Sequence, residues 1–283
     1  MKDETKLVHL GRGQKSFEGT VNMPVYRAST ILSPDVDSYI HRFDGEKAFT
    51  DITYGARGTH NARALAEAVA ALEGGDGTLV TASGLSAITV TLGALLESGD
   101  HILVTDSVYG PTRTFCNNVL KRYGITPQFY DPGIGAGIAD LIQPNTRAVF
   151  LEAPGSLTFE MQDIPAITAI TRERGVLSLM DNTWASPLFF RPFDHGVDIS
   201  IQAGTKYIAG HSDLVIGMVS STSESIHRSI VSHAHDLGDA PGPDDCYMAL
   251  RGLRTLAVRL ERQQASTLKV VNWLTAQPQV HRV

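Results

Sequence analysis

Short apolar runs alternate with helical periodicities through most of the chain. Thr78 to Thr81, His101 to Thr105, Ile125 to Tyr130, Thr146 to Leu151 and Val176 to Met180 are apolar runs of strand length, with two more near Ile199 and over Val215 to Ser220. Between them the spacing predicts helices. One is capped by Asn61, carries Leu65, Ala66, Val69 and Leu72 on one face, and stops at Gly74-Gly75. Others run from Ile88 to Leu96, Thr112 to Arg122 and Ile164 to Arg174. From Asp244 a stripe of Tyr247, Leu250, Leu253, Leu256 and Leu260 predicts one long helix past Trp273 to Pro278, with Val280 to Val283 starting a strand. Strands that are apolar throughout, alternating with helices, predict an α/β fold: a mostly parallel sheet covered by helices on both faces.

The first 60 residues break this rhythm. Gly11, Gly13, Gly19, Pro24, Pro34 and Gly45 interrupt short apolar pieces, which predicts an irregular arm wrapped over this chain or a second copy. The expected organisation is therefore an arm over 1–60, an α/β domain over 61–255, and the start of a further domain over 256–283. Two glycine- or histidine-rich stretches, Gly133 to Gly137 and His233 to Asp236, read as loops. The first lacks the dinucleotide spacing and the second lacks further metal ligands, so no metal site is expected.

Composition narrows the function classes. With 42% hydrophobic and 19% charged residues the chain is of the folded, globular kind. A net charge of −6 without any Lys/Arg block argues against nucleic acid. No run reaches the ~20 apolar residues of a membrane span, and Met1 to Lys6 opens without the apolar stretch of a signal peptide. Two distant cysteines, Cys116 and Cys246, point to a reducing compartment, the cytoplasm.

In open α/β sheets ligands sit beyond the carboxyl ends of the strands. Five stretches converge there: Ser83-Gly84-Leu85, Asp106 to Tyr109, Glu152 to Ser156, Asp181-Asn182 and Gly204-Thr205-Lys206. The first is a small-residue turn between strand and helix, an arrangement that suits an anion. The last presents one lysine whose small neighbours leave room for something large beside it, which suits Schiff-base chemistry and equally an exposed loop lysine.

Thr205-Lys206-Tyr207-Ile208-Ala209-Gly210-His211-Ser212-Asp213 resembles the cofactor-lysine motif of the pyridoxal-phosphate enzymes of Cys/Met metabolism. Val21 to Thr30, Ala82 to Ala87, Asp106 to Gly110 and Met180 to Trp184 resemble further segments of that family, so the likeness covers essentially the whole chain. Glu152 to Glu160, Tyr54 to Thr59 and Tyr247 to Leu260 are similar to the bacterial cystathionine β-lyase branch, where the γ-enzymes usually carry a Thr-Asn-Pro turn in place of the first.

The resemblance implies the aminotransferase-like fold (fold type I), with an extended arm and an incomplete C-terminal domain. It implies pyridoxal 5'-phosphate as cofactor and Lys206 as its Schiff-base lysine. Asp181 would face the ring nitrogen and Tyr109 would stack on the ring and assist in proton transfer. Gly84, Leu85 and Thr205 would hold the phosphate. Tyr54 would reach the phosphate of a second subunit, with Arg57 beside it because Ala56 stands where the family commonly has arginine. The implied activity is α,β-elimination of L-cystathionine to homocysteine, pyruvate and ammonia in methionine biosynthesis. Alternatives are a γ-lyase or γ-synthase reaction, or a cofactor-binding fragment with impaired turnover. The implied assembly is a dimer with shared sites, or a tetramer, acting on a small amino-acid substrate. The family's domain that binds the substrate α-carboxylate is expected to continue beyond Val283.

Overall fold

Each apolar run forms a strand, and all seven strands join one sheet in a computed structural model that describes residues 2–12, 19–45, 49 and 51–283. The strands are β1 (Gly77–Thr81), β2 (His101–Thr105), β3 (Thr126–Tyr130), β4 (Thr146–Glu152), β5 (Leu177–Asp181), β6 (Ile199–Gln202) and β7 (Gly217–Ser221). Their spatial order is β1-β7-β6-β5-β4-β2-β3. Only β7 runs antiparallel to its neighbours, β1 and β6; the other pairings are parallel.

The helices are α1 (Asp3–His9), α2 (Val36–Ile40), α3 (His60–Glu73), α4 (Gly84–Leu95), α5 (Gly110–Phe115), α6 (Ile164–Arg174), α7 (Ser186–Phe189), α8 (Glu224–Asp236), α9 (Pro243–Leu253) and α10 (Leu256–Thr275). Alternating residues of β4 show why the strands are apolar throughout. Ala148 and Phe150 enter a core with α4, α5 and α8, while Val149 and Leu151 enter another beneath α6. A third core joins α3, α9 and the start of α10 with Leu7 of α1 and Met23 of the arm.

Five expectations need correction. The arm is not irregular throughout: Asp3–His9 is helical because Leu7 buries against the third core and Asp3 pairs with Arg191. Asp35 caps a second short helix by accepting the Ser38 amide at 2.7 Å. Gly13, the rest of 13–18, 46–48 and residue 50 lie outside the described residues.

His233 to Asp236 belongs to α8 and is not a loop. Ile226, Ile230, Val231 and Ala234 recur at helical spacing and pack inward, while Gly93 of α4 makes room for the His233 ring. Among the described residues no cluster of metal-ligating side chains occurs. Pro132–Leu141 forms short helical turns, started by the Asp131 carboxylate and kinked at Gly135.

The pattern from Asp244 breaks into two helices at Arg254-Thr255, with the Thr255 hydroxyl donating to the Gly252 carbonyl. Residues 278–283 form no strand. No helix among the described residues is long and apolar enough to cross a membrane, and both cysteines are free and buried.

Candidate active site

The carboxyl ends of β1, β2, β4, β5 and β6 bring the sequence-predicted stretches together through a chain of contacts. Gly84 opens α4 directly against Ala203: a Cβ added at Gly84 would lie 2.6 Å from the Ala203 Cβ. The Ala203 amide donates to the Thr183 hydroxyl at 2.7 Å, and the Thr183 amide donates to Asp181 Oδ1 at 3.0 Å. Asp181 stands in register beside Glu152 on the neighbouring parallel strand. Glu152 Oε2 in turn accepts the Tyr109 amide at 2.8 Å, fixing the start of α5. Lys206 closes the set, because its own amide donates to the Ala203 carbonyl at 3.0 Å.

The Lys206 turn is held from several sides. The Thr205 hydroxyl donates to the Ile216 carbonyl at 3.1 Å and accepts the Ile216 amide at 3.0 Å, stapling the turn to the strand that returns beside it. Gly252 of α9 packs closely against the Ile208 and Ala209 carbonyls. Lys206 itself is exposed, as is the Tyr109 ring. In this structure the Thr205 hydroxyl proton goes to the Ile216 carbonyl.

The two acids at the floor have raised pKa values. Asp181 is raised by burial against the opposing bonds from Thr183. Glu152 is raised by burial and then by the neighbouring Asp181 charge. Two carboxylates side by side resist double ionisation, so this pair attracts a cationic group.

Glu152 is visible in the sequence as a strand-end residue opening the β-lyase-like stretch, and its place beside Asp181 follows from the β4–β5 register. Thr183, which ties Asp181 to the Lys206 turn, escapes sequence reasoning; a hydroxyl two residues beyond a strand-end acid is its faint signal.

Tyr54 and Arg57 lie apart. Tyr54 is exposed and forms a backbone bridge with Thr30. The Arg57 guanidinium sits 4.2 Å over the Phe43 ring, on a cavity it shares with His227, His235 and Asp239. None of Gly84, Tyr109, Asp181 or Lys206 lines that cavity. Burial, followed by the Arg57 charge, holds His235 below its ordinary pKa.

Three features fit pyridoxal 5'-phosphate. Ser83 accepts the Ser86 amide on its side chain at 2.9 Å and the Ala87 amide on its carbonyl at 2.9 Å. That leaves the Gly84 and Leu85 amides at the helix start for an anion. The acid pair suits a protonated ring nitrogen, and the exposed Lys206 amine suits an aldehyde. A strand-end lysine near a helix start with two open amides and a buried acid pair therefore has the parts of a pyridoxal-phosphate site.

The comparisons agree. The family model described as "Cys/Met metabolism PLP-dependent enzyme" matches residues 4–283. A putative cystathionine beta-lyase of Rhizobium johnstonii is 49% identical over 99% of this chain and 69% of its own length. The cystathionine beta-lyase of Escherichia coli is 40% identical over 100% of this chain and 71% of its own. Among solved structures, the cystathionine gamma-lyase of Lactobacillus plantarum complexed with L-serine superposes with a TM-score of 0.90 at 30% identity, covering 98% of this chain and 70% of that one. The chain belongs to the family of pyridoxal-phosphate enzymes of Cys/Met metabolism, and pyridoxal 5'-phosphate is its cofactor.

Proposed function

We propose that the protein is a carbon–sulfur β-lyase that cleaves L-cystathionine to homocysteine, pyruvate and ammonia. The observation that carries this reading is the convergence of Lys206, the Glu152–Asp181 pair and the open Gly84–Leu85 amides on one mouth of the sheet. The choice of β- over γ-cleavage is supported by the β-lyase-like Glu152 to Glu160 stretch and by the names of the two relatives above. When bound, the cofactor supplies an electron sink for the charge left on the substrate Cα.

The chain's own residues do the rest. The Lys206 amine holds the cofactor and then carries the proton between Cα and the departing sulfur. Asp181 keeps the ring nitrogen protonated, and Thr183 holds Asp181 in place through its amide. The Tyr109 ring covers one face of the cofactor, anchored by the bond from its amide to Glu152. The Gly84 and Leu85 amides would bind the phosphate, with the Thr205 hydroxyl alongside.

Tyr54 and Arg57 serve the site of a second copy, which makes the working unit at least a dimer. In this chain both are exposed, and Arg57 lines a cavity that Lys206 does not line.

The deciding experiment is keto-acid analysis with L-cystathionine and added cofactor. Pyruvate and homocysteine in equal amounts support the reading. Cysteine with 2-oxobutyrate would make the protein a γ-lyase, and no keto acid at all would overturn the lyase assignment. Lys206→Ala is expected to abolish both turnover and the visible absorbance of the bound cofactor.

A further inference from the structure

The turn that offers its Gly84 and Leu85 amides is gripped from outside by one carboxylate that the mechanism does not use. Asp239 lies in the turn that ends α8, where Gly238 adopts φ +72° and the Asp239 amide donates to the Ala234 carbonyl at 2.9 Å. Its Oδ1 accepts the Ala82 amide at 2.9 Å, and its Oδ2 accepts the Ser86 hydroxyl at 2.7 Å. Ala82 and Ser86 flank Ser83-Gly84-Leu85 on either side. One side chain, 157 and 153 positions away in sequence, therefore spans the turn.

We propose that Asp239 is a positioning residue for the cofactor phosphate, acting through Ala82 and Ser86; this rests on the reading of Gly84 and Leu85 as the phosphate cradle. The bonds around the turn leave it little freedom. Ser83 Oγ takes the Ser86 amide, and the Ser83 carbonyl takes the Ala87 amide and the Thr81 hydroxyl at 2.9 Å each. These bonds hold the turn to its own helix and strand, whereas Asp239 ties it to α8, which packs on α4. Without that outer tie the aim of the two open amides depends on the turn alone. An oxyanion bound by preset amides is sensitive to such aim, because bonds to charged groups weaken steeply with misalignment.

The carboxylate also commits the Ser86 hydroxyl proton to itself, so Ser86 does not donate to the anion. The cradle then works by backbone amides, with Asp239 behind them as their fixture.

The test separates the phosphate from the rest of the cofactor. Pyridoxal 5'-phosphate and pyridoxal are each titrated by visible absorbance against the 283-residue chain and its Asp239→Ala, Asp239→Asn and Ser86→Ala variants. The unaltered chain is expected to prefer the phosphorylated form strongly. Asp239→Ala should weaken binding of the phosphorylated form about tenfold, as expected for losing bonds to a charged group, and leave pyridoxal within about twofold.

Asp239→Asn, which can accept from Ala82 and donate to Ser86, should stay within about threefold for both. Ser86→Ala, which removes only one of the two contacts, should show the same selective loss at about threefold. It also serves as the measurement should Asp239→Ala not fold.

Equal weakening of both ligands by Asp239→Ala would mean a general structural role and overturn the proposal. An undiminished preference for phosphate in both Asp239→Ala and Ser86→Ala would overturn it while leaving the cradle intact. If the unaltered chain shows no preference for the phosphorylated form, the cradle reading falls, and the proposal with it.

Discussion

Glu73→Gln should make the protein less sensitive to alkaline pH without altering its fold. Glu73 ends α3 and is fully buried against β6. Its Oε1 accepts the Ser200 hydroxyl at 3.0 Å and the Gln202 side-chain amide at 2.9 Å, while Oε2 has no partner. Burial pushes its pKa up from 4.5 to about 7, against the two hydrogen bonds and the more distant Arg191 charge.

In the unfolded chain the group ionises near its ordinary value. Between the two pKa values the folded protein therefore holds more protons than the unfolded one, and stability falls as pH rises through that window. Every tenfold difference in proton affinity between the two states is worth about 1.4 kcal/mol. Raising the pH from about 5 to about 8 should then cost about 2–3 kcal/mol through this group alone.

Glutamine keeps the acceptor for Ser200 and Gln202 and does not titrate. The variant should match the parent within about 1 kcal/mol near pH ~5 and exceed it by about 2–3 kcal/mol near pH ~8. Urea unfolding followed by far-ultraviolet circular dichroism at both pH values gives the comparison. Glu152 and Asp181 are raised in the same direction, but they are present in both proteins and cancel in the difference. Identical pH slopes for the two proteins would refute the reasoning.

Gly84→Ala places a methyl group 2.6 Å from the Ala203 Cβ, so the turn must shift; cofactor affinity, read by absorbance titration, should fall about tenfold, and the unfolding free energy should fall by about 1–3 kcal/mol. Phe150→Ala removes a fully buried ring from the middle of β4 and should lower the unfolding free energy by about 3–5 kcal/mol, measured by denaturant titration.

Strands are the most legible part of the fold. His101 to Thr105 coincides with β2, and the other runs differ from β1, β3, β4 and β5 by a residue or two at an end. The physical reason is that these strands bury both faces, so an apolar run and a strand are nearly the same object, as Val149 and Phe150 show.

Pairing is not legible. Nothing local in Gly217–Ser221 marks it as the antiparallel strand between β1 and β6. The α8 histidines read as a loop because a polar run looks like one when the apolar positions of the helix are sparse, although the His233 ring packs against Gly93. The break at Arg254-Thr255 is hidden because the leucine stripe continues across it in phase. The lysine turn, the strand-end acid and the small-residue helix start are legible as neighbours because all of them follow apolar strands at the carboxyl ends of the sheet. Asp239 is not, because its partners lie 157 and 153 positions away.

The small residues around Lys206 have a different meaning in the structure than in the sequence. As a sequence, Ala203-Gly204 reads as space beside the lysine for something large. In the fold that space is filled by protein. Gly204 is buried, and a Cβ there would lie 2.7 Å from the Met218 methyl and 2.9 Å from Ile216 Cγ2. Ala203 meets Gly84, and Gly252 meets the Ile208 and Ala209 carbonyls.

The reason lies in the strand that follows. A parallel successor to β6 would need a crossover of a dozen or more residues and would carry the chain away from the mouth of the sheet. The antiparallel β7 instead brings it straight back, so residues 203–216 fold over their own return strand and are stapled there by Thr205 and Ile216. Such close return demands residues without side chains. The glycines thus let the lysine turn pack closely on its own return strand, and Lys206 is left exposed above it.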